Sequence, residues 1–82
     1  MPRYDEILPQ LYEVLRPYAQ DGQILSDSTE LVKDLGLDSM KVMQLLLEAE
    51  EQFDISIPLN VVSDVRTVGD FARQIEQLTG QQ

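Results

Sequence analysis

Ser39 is the residue of this 82-residue chain best placed to do chemistry. It lies in the run Asp34-Leu35-Gly36-Leu37-Asp38-Ser39-Met40. Gly36 can take a positive φ and break the chain there. Asp38 or Ser39 can cap the helix that follows. The serine would then sit at a helix mouth, where free N–H groups and partial positive charge favour an anionic group on its oxygen. A base to activate it is missing. The chain has no His, and Lys41 is the nearest lysine. Ser39 is therefore expected to be an acceptor that another enzyme modifies, not a nucleophile activated by its own protein. The plainer alternative is that Asp38 and Ser39 only cap and Gly36 only turns.

Composition narrows the chemistry further. There is no Cys, so disulfides, thiol catalysis and thiolate metal sites are excluded. The absence of His excludes a Ser-His-Asp triad and most zinc sites. With two lysines and no evident acid–base pair, an enzyme is not expected and no catalytic residue or metal ligand is assigned. Fifteen acidic residues against six basic ones give a net charge of −9. That charge repels nucleic acid and anionic membranes and favours a basic partner surface. A hydrophobic content of 43% argues for a folded domain over an acidic disordered tail. No signal core is visible after Met1-Pro2-Arg3, and no apolar run approaches the ~20 residues of a membrane span. The expectation is a cytoplasmic, monomeric, stand-alone protein with one domain over residues 1–82, ordered from about 4 to 79.

The elements that must position Ser39 read as all-α, a small bundle of three main helices and one short one. The first helix is expected from about Asp5, as N-cap, to Arg16. Its apolar residues Leu8, Leu11, Leu15 and Tyr18 are flanked by Ile7 and Val14, Pro9 falls near the end of the first turn, and Pro17 stops the helix. Residues 20–37 form a long connection whose Ile24, Leu25, Leu31, Val32, Leu35 and Leu37 are expected to pin it to the helices, with a short turn at 28–32. The second helix runs from Met40 to Phe53 without Gly or Pro. Val42, Leu46, Ala49 and Phe53, with Leu45 beside them, make its core stripe. Met40, Met43 and Leu47 keep helical spacing on another face, surplus to a core this small, and are left for a partner or ligand. Residues 59–65 are expected to make one turn. Thr67 and Asp70 form a capping box for the last helix, carried by Val68, Phe71, Ala72, Ile75 and Leu78 and stopped by Gly80.

Leu35-Gly36-Leu37-Asp38-Ser39-Met40 resembles the attachment motif of acyl carrier proteins. Leu31-Val32-Lys33-Asp34 before it, Glu50-Glu51-Gln52-Phe53-Asp54-Ile55, Ile57-Pro58 and Thr67-Val68-Gly69-Asp70 sit at family-like spacing, so the likeness covers about Asp5 to Leu78. The resemblance implies that a phosphopantetheinyl transferase moves 4′-phosphopantetheine from coenzyme A to the Ser39 hydroxyl, with Asp38 as flanking motif residue. The terminal thiol would hold an acyl group as a thioester, which answers the missing cysteine. The protein would be a tether that raises local concentration, serving an acyl-loading ligase or acyltransferase and downstream synthase enzymes.

By the same resemblance the second helix is the partner face. Met40, Met43 and Leu47 match apolar contact positions, and Glu48 and Glu51 supply acidic ones. Val62 and Val65 border the arm on the short third helix. Lys41 and Gln44 belong to this face but stand where the housekeeping fatty-acid pattern has acids. Leu59, Asn60 and Ser63 likewise replace acids after Pro58. These departures point to a dedicated pathway of fatty-acid, polyketide or related type. Asp38-Ser39-Met40, Gln44-Leu45-Leu46-Leu47-Glu48 and Gln52-Phe53-Asp54-Ile55 also resemble D-alanyl carrier proteins, whereas Arg66-Thr67-Val68-Gly69-Asp70-Phe71 is closer to acyl carriers. An aminoacyl or peptidyl carrier is thus the alternative, and an acidic adaptor without a prosthetic group a more distant one.

Overall fold

The computed structural model describes residues 3–20 and 22–80, and only the backbone of Leu59 and Val62. The expected all-α bundle forms. Helix α1 spans Tyr4–Leu15 and runs into a 3-10 turn, Arg16–Tyr18. Helix α2 spans Ser39–Phe53, α3 Leu59–Val62 and α4 Val68–Gly80. The described residues form no strand, only an isolated antiparallel bridge between Glu30 and Thr67. There Leu31 N–H donates to the Arg66 carbonyl at 3.0 Å and Val68 N–H to the Thr29 carbonyl at 2.9 Å.

The core stripe of α1 is Ile7, Leu11 and Leu15, all fully buried, at i, i+4 and i+8. Leu8 and Val14 are half-buried and Tyr18 belongs to the 3-10 turn, so the buried face is rotated by one residue from the expected one. The helix also starts earlier than expected. Arg3, not Asp5, precedes it, and Tyr4 N–H donates to the Glu76 carboxylate of α4 at 2.9 Å. Asp5 lies in the first turn, where its charge suits the positive helix end. Pro9 accordingly falls in the second turn, and its missing N–H leaves the Asp5 carbonyl without an intrahelical donor.

Opposite α1, α4 buries Val68, Phe71, Ala72 and Ile75. Thr79 is buried, and its hydroxyl donates to the Glu76 carbonyl at 2.9 Å. The helix includes Gly80, which was expected just past its end; Gln81 and Gln82 lie outside the described residues. In α2, Leu45, Leu46 and Ala49 are buried, with Val42 and Phe53 packed against them. Each aliphatic side chain fully removed from water contributes ~1.5–3 kcal/mol. Helix α2 ends where Asp54 takes φ 55. Ile57 N–H then donates to the Glu50 carboxylate at 2.8 Å.

The connection before α2 is only partly pinned. Leu31, Leu35 and Leu37 are buried, but Ile24 is 87% and Val32 66% exposed, contrary to expectation. Turns fall at residues 27–28 and 31–35, overlapping the two ends of the expected 28–32, and before the second the Asp34 carboxylate receives Glu30 N–H at 2.8 Å. Helix α3 is shorter than expected. It ends at Val62, and Val65 lies beyond it in the link to α4.

Candidate functional site

The start of α2 is placed by what precedes it. Leu35 and Leu37 are buried on either side of Gly36, which takes φ 67 and donates its N–H to the Val32 carbonyl at 2.9 Å. This closes the preceding turn the way a left-handed residue closes a helix. Gln23 braces the same turn, donating through Nε2 to the Asp34 carbonyl at 3.1 Å. The chain therefore leaves the core at Leu37, and the next residues are outside it.

Asp38, extended at φ −91 and ψ 178, is the cap. Its Oδ1 accepts Lys41 N–H at 2.9 Å and its carbonyl accepts Val42 N–H at 2.9 Å. Ser39 becomes the first residue of the helix. It is exposed, and its hydroxyl has no hydrogen-bond partner among the described residues. The Ser39 and Met40 N–H groups also find no acceptor there. The site is thus an unengaged hydroxyl beside two unengaged amides at the positive end of a helix 15 residues long.

On α2 all seven positions expected to meet partners, Met40, Lys41, Met43, Gln44, Leu47, Glu48 and Glu51, are exposed. At about 3.6 residues per turn, Met40 and Leu47 fall within about 20° of each other and about 180° from buried Ala49. They are 76% and 60% exposed, so an apolar strip points straight away from the core. Met43 flanks it on one side, Gln44 and Glu51 on the other. Glu48 is engaged: its Oε1 accepts the Tyr18 hydroxyl at 3.1 Å. Burial, then that bond and the Glu48 charge, push the Tyr18 hydroxyl pKa above its ordinary value. Glu48 and Glu51 line an open groove with Glu13, Val14 and Gln52, between α1 and α2. Val65 is half-buried away from α3, and the Val62 side chain lies outside the described residues.

Two features have no local sequence signal. The Tyr18–Glu48 bond joins residues 30 positions apart. The other is a cavity of about 90 Å³ walled only by apolar side chains: Leu31, Val32, Val42, Leu45, Leu46, Val65 and Phe71. Val42 lies one turn beyond Ser39, so the cavity adjoins the site; its walls come from four separate stretches of chain, which no single periodicity reveals.

A family model described as the phosphopantetheine attachment site matches residues 10–75. An acyl carrier protein from Wolinella succinogenes is 34% identical over 76 residues, covering 93% of this chain and 96% of that one. The chain belongs to the acyl carrier protein family. The mitochondrial acyl carrier protein of Saccharomyces cerevisiae is 38% identical over 72 residues, 80% of this chain but only 57% of that longer protein. A solved acyl-carrier-like structure from Mycobacterium tuberculosis superposes with a TM-score of 0.66 at 33% identity, covering 88% of this chain and 92% of that one. Acyl carrier proteins are carriers that serve phosphopantetheinyl transferases and biosynthetic enzymes, and their prosthetic group is 4′-phosphopantetheine.

The residues at the α2 start fit that group. It needs a hydroxyl that a second protein can reach, and Ser39 presents one with no internal bond to break. Its phosphodiester is anionic, and the two unbonded amides lie at the base of that hydroxyl. No described helix is long and apolar enough to cross a membrane.

Proposed function

We propose that Ser39 is the attachment residue, and that the chain works as one carrier domain for acyl groups of a specialised fatty-acid or polyketide-type pathway. The observation that carries this reading is the exposed, unbonded Ser39 hydroxyl at the first position of α2, with the capping task already taken by Asp38. When bound, 4′-phosphopantetheine supplies a terminal thiol on which an acyl group is carried as a thioester.

The chain's own residues do the rest. Asp38 occupies the Lys41 amide, so Ser39 has no need to fold back as a cap and its oxygen stays available. The protein offers that oxygen no base, so the transferase must remove its proton. The helix end favours the anionic linkage by ~0.3–1 kcal/mol. The rigid helix fixes the tether's base, and the exposed strip of Met40, Met43 and Leu47 docks the partner enzymes.

The apolar cavity supports an acyl cargo over an amino acid. An aliphatic chain gains by entering it, whereas an ammonium group would have to be desolvated. Lys41 and Gln44 in the first turns of α2, and Asn60 and Ser63 about α3, stand where the housekeeping fatty-acid pattern has acids, which supports a dedicated partner set.

Incubation with coenzyme A and a broad-specificity phosphopantetheinyl transferase, read by intact mass, tests the assignment. One phosphopantetheinyl increment is expected on the natural protein and none on Ser39→Ala. An increment retained by Ser39→Ala would move the site elsewhere, and none on either protein would favour the adaptor reading.

A further inference from the structure

We infer that the docking strip on α2 is built for a partner of mixed charge: a carboxylate where the partner meets the Ser39 end, and a cation about 15 Å further along. This rests on the carrier reading and deepens it. A chain of net charge −9 suggests a uniformly basic partner. The strip says otherwise, because its charges run against the helix that bears them.

Helix dipoles favour acids in the first turn and bases in the last. Helix α2 has no acid in its first turn and no base in its last. It has Lys41 in the first turn and Glu50 and Glu51 in the last. Glu50 is explained by its bond to Ile57 N–H, and Glu48, a turn earlier, by its bond from Tyr18. Lys41 and Glu51 have no such explanation. Among the described residues the ion pairs are Arg16–Glu13, Arg66–Glu30 and Arg73–Asp70, and Lys41 and Glu51 enter none. Neither side chain has a hydrogen bond there. Both are exposed: Glu51 lies beside the apolar strip at its far end, and Lys41 flanks its Ser39 end, about 100° round the helix from Met40. Two ions set against the dipole and left without internal partners are complementary to charges outside the molecule. Lys41 repels a cation that approaches the Ser39 end, so it selects against partners that are basic throughout.

The test measures kcat/KM for loading of Ser39, with coenzyme A and a phosphopantetheinyl transferase whose carrier-binding face is basic. Against that probe Lys41→Glu should load at least about threefold faster than the natural protein at low salt, Lys41→Gln should fall between them, and Glu51→Lys should load more slowly. The differences should collapse at about 0.5 M salt. Turning single Arg or Lys residues of the transferase face to Glu should yield at least one variant that prefers the natural protein over Lys41→Glu. Equal or slower loading of Lys41→Glu at low salt, a salt-independent effect, or no transferase variant with reversed preference would overturn the inference. So would a dimer, seen by analytical ultracentrifugation, that buries α2 against a second copy. Loading that ignores Lys41 removes this inference alone, whereas no loading of any variant removes the carrier reading together with it.

Discussion

Helices α2 and α4 start from similar material, a side-chain oxygen that accepts the N–H three residues on, yet the two starts are finished in opposite ways. At α4 the first three N–H groups are all bonded. Val68 donates to the Thr29 carbonyl at 2.9 Å, Gly69 to the Asp27 carbonyl at 2.8 Å and Asp70 to Thr67 Oγ1 at 3.1 Å. The Asp70 carboxylate returns the bond, accepting Thr67 N–H at 3.1 Å and Arg66 N–H at 3.2 Å. At α2 only the third N–H, that of Lys41, is bonded among the described residues, and Ser39 and Met40 are exposed. The orphan donors of a helix end are a fixed chemical quantity. Where the fold consumes them they hold a loop in place, and where it leaves them they are available to a ligand. The difference between structural and functional helix ends lies in which groups the rest of the chain brings to them, not in the capping motif.

The largest expected effect comes from disturbing the closed start. A Cβ on Gly69 would lie 2.8 Å from the Tyr4 hydroxyl and 3.0 Å from the Asp27 carbonyl oxygen. The tyrosine can swing away, but that carbonyl is held by the Gly69 N–H itself. Gly69→Ala gains helix propensity of ~0.5–1 kcal/mol and loses more to overpacking of ~1–3 kcal/mol. A net loss of about 1–2 kcal/mol in denaturant unfolding is expected. Unchanged or raised stability would mean that the 26–30 loop is not clamped to α4.

Asp70 gives a smaller, pH-dependent effect. The Thr67 N–H bond, helped by those of Arg66, the Thr67 hydroxyl and the Arg73 charge, holds its carboxyl below the ordinary value against the opposing effect of burial. A group whose pKa is lower in the folded than in the unfolded chain contributes stability above its unfolded value and loses it as pH falls through the folded one. Asp70→Asn should therefore cost up to about 1 kcal/mol near neutrality, and the variant and natural proteins should converge below about pH 4. Equal stability of the two at pH 7 would show that the capping box contributes nothing.

Much of this contrast was readable before the fold was known, and the unreadable part has a common cause. The Thr67–Asp70 box and the Asp38–Ser39 start are local, since a cap and the N–H that donates to it lie three residues apart. The surplus strip of Met40, Met43 and Leu47 followed from a periodicity within one helix. Helix α1 departs from its sequence pattern where tertiary contact decides. Its start is drawn back to Tyr4 by Glu76, 72 positions away, and its two adjacent apolar rows leave the choice between Ile7 and Leu8 to packing against α4. The 20–37 connection is long enough that hydrophobicity alone does not tell buried Leu35 from exposed Val32. The pairing of Tyr18 with Glu48 and the cavity beside Val42 arise only when separate elements meet.

The smallest expected effect is the sharpest for the comparison, because one chemical change can be made at both starts. Thr67→Ala removes a hydroxyl oxygen that accepts the Asp70 N–H, and should cost about 1 kcal/mol. Ser39→Ala removes a hydroxyl that bonds no described residue, at an exposed first position where alanine is the better helix former by a few tenths of a kcal/mol. Its stability should stay within about 0.5 kcal/mol of the natural protein, with the sign favouring the variant. Both are read from urea midpoints at constant m. If Ser39→Ala loses as much as Thr67→Ala, the Ser39 oxygen is part of the cap, the start of α2 is as closed as that of α4, and a carrier site there loses its physical basis. If it loses nothing, the oxygen has no structural task that its modification would disturb.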